Sequence, residues 1–159
     1  IHTNAANPNW KNASSARGFE TYFLAEANTE DEKRVAAMEN EAIKFETTVE
    51  TSGSDPLGFI LRDMAQNEHL RESLTLATLT QESLKAVHPG PNRGVKQAPL
   101  SVLVRSFMPS MLVELGFGSN PKEAQFLLSD ERQTELAQAI ADACVAFLAQ
   151  YDRKVGLDP

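Results

Sequence analysis

An α/β fold is what this sequence predicts, because short β-forming runs alternate with longer amphipathic helical stretches along one chain. Three observations carry that reading. "FETYFL" at 19–24 alternates aromatic and β-forming residues as a strand does. Val35, Met38, Ala42, Ile43 and Phe45 recur at helical spacing just after it. "LSVLV" (100–104) and "SMLVEL" (110–115) are apolar runs of strand length, and Asn120-Pro121 then opens a further helix. A central sheet covered by helices follows.

The elements can be taken in order. Residues 3–18 are rich in Asn, Ser and Ala and carry a Pro, which makes them a loop between His2 and the 19–24 strand. Thr29, followed by Glu30, Asp31 and Glu32, is a helix start with acids in the first turn, and that helix reaches to about Glu46. "TTVETSGSDP" (47–56) passes from a β-branched stretch into a loop. A second helical region begins near Asp55-Pro56, with Leu57, Ile60, Leu61 and Met64 at helical spacing. Leu70, Leu74, Ala77 and Leu84 continue it after an expected break at 66–69. "HPGPNRG" (88–94) reads as a turn-rich loop. The last helix aligns Leu136, Ile140, Ala143, Phe147 and Tyr151 on one face, and Cys144 falls on this stripe as a small core residue. About three strands are visible, few for such a sheet. Ile1 has no capping or turn residue before it, so further strands are expected upstream.

The chain of 159 residues suits one domain with a substantial core. Its net charge of −7, with no Lys/Arg cluster, argues against a nucleic-acid partner, which a largely acidic surface repels. No apolar run approaches the roughly 20 residues that a membrane-spanning helix needs. No Cys/His pair stands at metal spacing, and neither a G-x-S-x-G nor a phosphate-binding glycine loop occurs.

Three residues stand out as chemistry. His2 lies at a presumed strand end that opens into a polar loop, a usual place for a ligand or catalytic group. Glu114 interrupts the apolar run "MLVEL", where an unpartnered carboxylate costs several kcal/mol. It is either a strand-end group turned to solvent or paired with Arg105, or a carboxyl kept buried for general acid/base work. Glu39 falls inside the apolar stripe of the 30–46 helix, four residues from both Val35 and Ile43. It either snorkels to water at the stripe edge or faces a cation or metal. His69 and His88 read as solvated surface residues.

Four stretches together resemble the zinc-dependent N-acetylmuramoyl-L-alanine amidases of bacterial daughter-cell separation. They are "IHTNA" (1–5), "RGFETYFL" (17–24), "NRGVKQAPLSVLVRSFMPSMLVELGFGSNPKEAQFLL" (92–128) and "QTELAQAIADACVAFL" (133–148), in the family's order. The resemblance implies a mixed, mainly parallel sheet flanked by helices. It also implies a hydrolase that cleaves the amide between N-acetylmuramic acid and L-alanine of the stem peptide. In this family two His and one Glu hold zinc, with a further Glu near the metal. His2 matches the second His ligand, and Glu114 matches the catalytic Glu.

The family's first His and its Glu ligand precede the motif at Ile1. Residues 1–159 are therefore expected to form a partial catalytic domain, inactive alone. Residues 26–68 resemble the regulatory insertion of the division-type enzymes, whose helix blocks the site until an activator protein displaces it. "MENEAIKFE" (38–46) points to Glu39 as its inhibitory zinc ligand. Peptidoglycan as substrate and a periplasmic or secreted location follow from the same resemblance. The competing expectation is a catalytically inactive amidase-like module that binds cell-wall glycopeptide or a division partner.

Overall fold

The computed structural model describes residues 1–41, 56–104 and 106–157. The predicted loop over 47–55, the helical residues 42–46 and Arg105 lie outside them.

Four strands form one sheet: β1 (His2–Asn4), β2 (Phe19–Leu24), β3 (Asn92–Ala98) and β4 (Leu112–Phe117), in the order β1-β4-β2-β3. β1 runs parallel to β4, β2 parallel to β3, and β2 antiparallel to β4. The mixed α/β class and the 19–24 strand are as predicted. Several local predictions fail. "HPGPNRG" is not wholly loop, because β3 begins at Asn92; the strand escapes an apolar-pattern reading since its Arg93 and Lys96 are half-buried by ion pairing rather than by hydrophobicity. "LSVLV" is not a strand but the single helical turn α3 (Ser101–Val104). Leu100 and Leu103, three residues apart, turn into the core there, and Asn40 Oδ1 accepts from the Ser101 N–H.

The helices cover both faces. Helix α1 (Glu30–Glu39) starts with a capping box: Thr29 Oγ1 accepts from the Glu32 N–H, and Glu32 Oε2 accepts from the Thr29 N–H. It ends at the Asn40 cap, earlier than periodicity implies. The Asn40 side chain also donates to the Pro99 carbonyl, which fixes this end of α1 against the loop before α3. Helix α2 (Pro56–Val87) runs without the expected break at 66–69. Helices α4 (Pro121–Leu127) and α5 (Asp130–Val155) complete the chain.

Alternation along the strands divides the core in two. On one face Tyr22 and Leu112 pack with Val35, Ala36, Ala98, Leu100 and Leu103 beneath α1 and α3. On the other, Phe19 and Val113 pack with Leu84, Leu136 and Ala139 of α2 and α5. Leu74, expected on the α2 stripe, is exposed, and Cys144 is only half-buried beside the buried Ala143. Among the described residues no helix is long and apolar enough to cross a membrane.

A candidate metal centre on the α1 face of the sheet

Register builds the site. His2 of β1 pairs with Glu114 of β4, and Glu114 pairs in turn with Glu20 of β2. Directly paired residues project to the same side of a sheet. An imidazole and two carboxyls therefore stand in a row beneath α1.

Helix α1 supplies the third member of a tighter group. Glu39 Oε2 lies 2.5 Å from His2 Nδ1. Ligand atoms of His2, Glu39 and Glu114 all fall within 4.8 Å of one another. The three residues singled out separately along the sequence thus meet in one place. His2 is 38% exposed at its side chain and Glu39 14%, whereas Glu114 is fully buried.

Glu114 is neither turned to solvent nor answered by a donor: among the described residues, neither of its oxygens has a hydrogen-bond partner. Burial, reinforced by the nearby Glu39 and Glu20 carboxylates, pushes its pKa up to about 8. An orphaned buried carboxylate beside an imidazole and a second carboxylate is a donor set that suits a divalent cation of the zinc type. The residues present fit that group.

Glu20 is held quite differently. It accepts from Asn4 Nδ2 at 2.8 Å, the Tyr22 hydroxyl at 2.9 Å and Arg93 Nε at 2.6 Å, and Lys96 Nζ lies 2.6 Å away. Asp31 of α1 bridges to the same two cations at 3.3 and 3.2 Å. Sequence reasoning missed this network, because nothing in "NRGVKQA" marks its cations as partners of a strand 70 residues earlier.

His88 is not the surface residue expected. It is buried between Phe19 and Phe126, at ring distances of 4.7 and 5.0 Å, on the opposite face from the cluster. His69 is half-buried rather than solvated, and its Nδ1 has no partner among the described residues. Neither joins the cluster. A further buried carboxylate, Glu123, accepts from the Gly18 and Phe117 N–H groups and ties α4 to the sheet.

The mixed sheet, with helices on both faces, thus gathers an imidazole and two carboxylates at one point as a candidate divalent-cation site. Residues 1–146 match the N-acetylmuramoyl-L-alanine amidase family, and the chain belongs to it. N-acetylmuramoyl-L-alanine amidase AmiA of Escherichia coli is 30% identical over 122 residues, covering 77% of this chain and 42% of that protein. AmiC of Neisseria meningitidis serogroup B is 34% identical over 138 residues, covering 84% of this chain and 32% of that protein. The chain therefore spans less than half the length of these relatives. The fold is shared with the crystal structure of N-acetylmuramoyl-L-alanine amidase from Clostridium difficile 630, at a TM-score of 0.58 and 22% identity over 93% of this chain and 55% of that one. The Clostridioides difficile CwlD amidase, solved in complex with the GerS lipoprotein, superposes at 0.54 and 22% identity over 93% of this chain and 52% of that one.

Proposed function

We propose that this chain is the greater part of the catalytic domain of a peptidoglycan hydrolase that cleaves the amide between N-acetylmuramic acid and L-alanine. The observation that carries the reading is the convergence of His2, Glu39 and Glu114 on one point. His2 and, in the resting state, Glu39 would hold zinc. The bound ion would polarise the scissile carbonyl and make an attacking water more acidic.

Glu114 carries the proton. Its burial fits general acid/base work, since a carboxyl whose pKa is raised toward working pH can both accept and return a proton. It takes a proton from the attacking water and delivers it to the departing L-alanine nitrogen. The Glu20 network keeps the adjacent position on β2 filled with compensated charge, so that among the described residues Glu114 is the unpartnered carboxyl of this strand pair.

Glu39 supplies the regulation. Its contact with His2 occupies the place where a substrate carbonyl would have to come. Residues 26–68 are read as a regulatory insertion, and an activator protein would free the site by lifting α1. The substrate places the protein in the periplasm or outside the cell.

The test compares the full-length gene product with its Glu114→Gln variant on purified sacculi, with and without a zinc chelator. Stem-peptide release should fall by roughly 10²–10⁴-fold in the variant and stop on chelation. Equal release by both proteins would overturn the role of Glu114, and release by neither would favour a non-catalytic glycopeptide-binding module.

A further inference from the structure

Arg93 and Lys96 of β3 are clamped between two carboxylate oxygens. In the sheet, Glu20 Oε2 lies 2.6 Å from both Arg93 Nε and Lys96 Nζ. On α1, Asp31 Oδ2 accepts from Arg93 Nη2 at 3.3 Å and from Lys96 Nζ at 3.2 Å. Glu20 is fully buried and its other oxygen is taken by Asn4 and Tyr22, so it is fixed to the strands. Asp31 moves with the helix. Burial works against its charge, yet the hydrogen bonds and charges of Lys96 and Arg34 hold its pKa below the usual carboxylate value.

These charges balance only while α1 is seated. Two cations face two carboxylates with the helix in place, and a single carboxylate without it. Lifting α1 would therefore open a half-buried cation pair with one charge uncompensated, a receptor for a carboxylate through charge-assisted hydrogen bonds. Register places the pair relative to the cluster. Residues 93–94 stand opposite Glu20, which itself pairs with Glu114, so the pair lies two strand spacings, about 10 Å, from Glu114. Helix α1 spans a similar interval, since the eight residues from Asp31 to Glu39 rise about 12 Å. One helix thus lays a carboxylate on the candidate metal centre and another on the cation pair.

We propose that Arg93 and Lys96 form a carboxylate subsite that Asp31 fills while α1 is seated. Once α1 lifts, a carboxylate of the stem peptide takes its place. An extended peptide covers 10–12 Å in about three residues, which puts that carboxylate on the third residue from the scissile bond. This inference rests on the amidase reading and names what the helix withholds besides the metal. Arg93 and Lys96 are then specificity-determining residues, and Asp31 is a competitor for them.

The experiment reads binding rather than turnover, by calorimetry on the full-length protein carrying Glu39→Ala and Glu114→Gln. The probes are an N-acetylmuramoyl tripeptide with a free carboxylate on its third residue and the same compound amidated there. The free form should bind about tenfold tighter, the discrimination expected from one charge-assisted hydrogen bond. Adding Asp31→Ala should tighten the free form several-fold further and leave the amidated form unchanged, because the competing carboxylate is gone. Lys96→Met should abolish the preference, and Lys96→Arg should restore it.

Equal affinity for the two forms, or binding of neither, would overturn the proposal, as would a preference that survives Lys96→Met. Weaker binding of the free form after Asp31→Ala would overturn it too, since a purely structural network only loosens when Asp31 is lost. Asp31→Ala leaves both cations intact, so it decides the question even where Lys96→Met fails to fold. Carboxylate-dependent binding by a protein whose native form hydrolyses no sacculi would uphold the subsite and remove the amidase reading. Hydrolysis of sacculi without any carboxylate preference would do the reverse. The two readings therefore fail separately.

Discussion

Glu20 and Glu114 face each other across the antiparallel β2–β4 pair, both fully buried, and only Glu20 has partners. Removing the two carboxyls should therefore have opposite signs. Glu20→Ala leaves the half-buried Arg93 and Lys96 with Asp31 alone as their anion and should destabilise the fold by about 3 kcal/mol. Glu114→Leu removes an uncompensated buried carboxyl and should stabilise the chelator-treated protein by about 1–3 kcal/mol, while abolishing hydrolysis. Urea unfolding at pH 7.5 reads both; destabilisation by Glu114→Leu would mean that the carboxyl has a partner in solution.

Glu39 makes the second prediction. A carboxylate 2.5 Å from His2 Nδ1 competes with anything else that approaches that imidazole. In the full-length enzyme, Glu39→Ala should raise basal hydrolysis of sacculi several-fold without any activator. It should also weaken zinc retention against a competing chelator, since one donor is lost. Unchanged basal hydrolysis would remove the regulatory role and leave Glu39 a plain ion-pair partner.

How much of this was readable beforehand depends on which force places each residue. The strand at 19–24, the Thr29 helix start, the Asn120-Pro121 helix and the α5 stripe are set by local propensity and periodicity, and these are visible in sequence. His2, Glu39 and Glu114 could each be marked as unusual for their positions, but only the pairing of β1 with β4 and the seating of α1 bring them together. β3 stayed hidden because Arg93 and Lys96 are half-buried by ion pairing, which leaves no apolar alternation. α3 reads as a strand from its β-branched residues, and tertiary contacts at Leu100, Leu103 and Asn40 override that preference. Burial of His88 depends on Phe19 and Phe126, which are 69 and 38 residues away along the chain.

Gly18 gives a backbone test of the same sheet. Its φ is +104°, and a Cβ there would come within 2.2 Å of the Pro91 carbonyl oxygen. Its N–H also donates to Glu123 Oε1 at 2.6 Å, so a shift to relieve the clash would break the tie between β2 and α4. Gly18→Ala should cost more than about 2 kcal/mol, seen as a lowered urea midpoint with an unchanged slope. A midpoint equal to the native one would show that this end of β2 can move freely.

His88 determines how the fold responds to acid. Its Nε2 lies 2.9 Å from the Leu115 carbonyl and its Nδ1 accepts from the Gly90 N–H at 2.9 Å, a pattern that only the neutral ring satisfies. Burial pushes its pKa below the usual 6.5, outweighing the opposing pull of the Leu115 carbonyl and the Glu123 carboxylate. The folded state thus binds fewer protons than the unfolded chain just below pH 6.5, so stability must rise with pH through that window and fall as the pH is lowered. His88→Phe keeps an aromatic ring between Phe19 and Phe126 but strands the Gly90 N–H and the Leu115 carbonyl, and should cost about 1–3 kcal/mol at pH 7.5. The difference between native and variant should shrink as the pH drops from 6.5 to 5, because only the native protein carries the burden of a ring it must keep neutral. Parallel stability curves for the two proteins over that range would show that His88 titrates as it does in the unfolded chain.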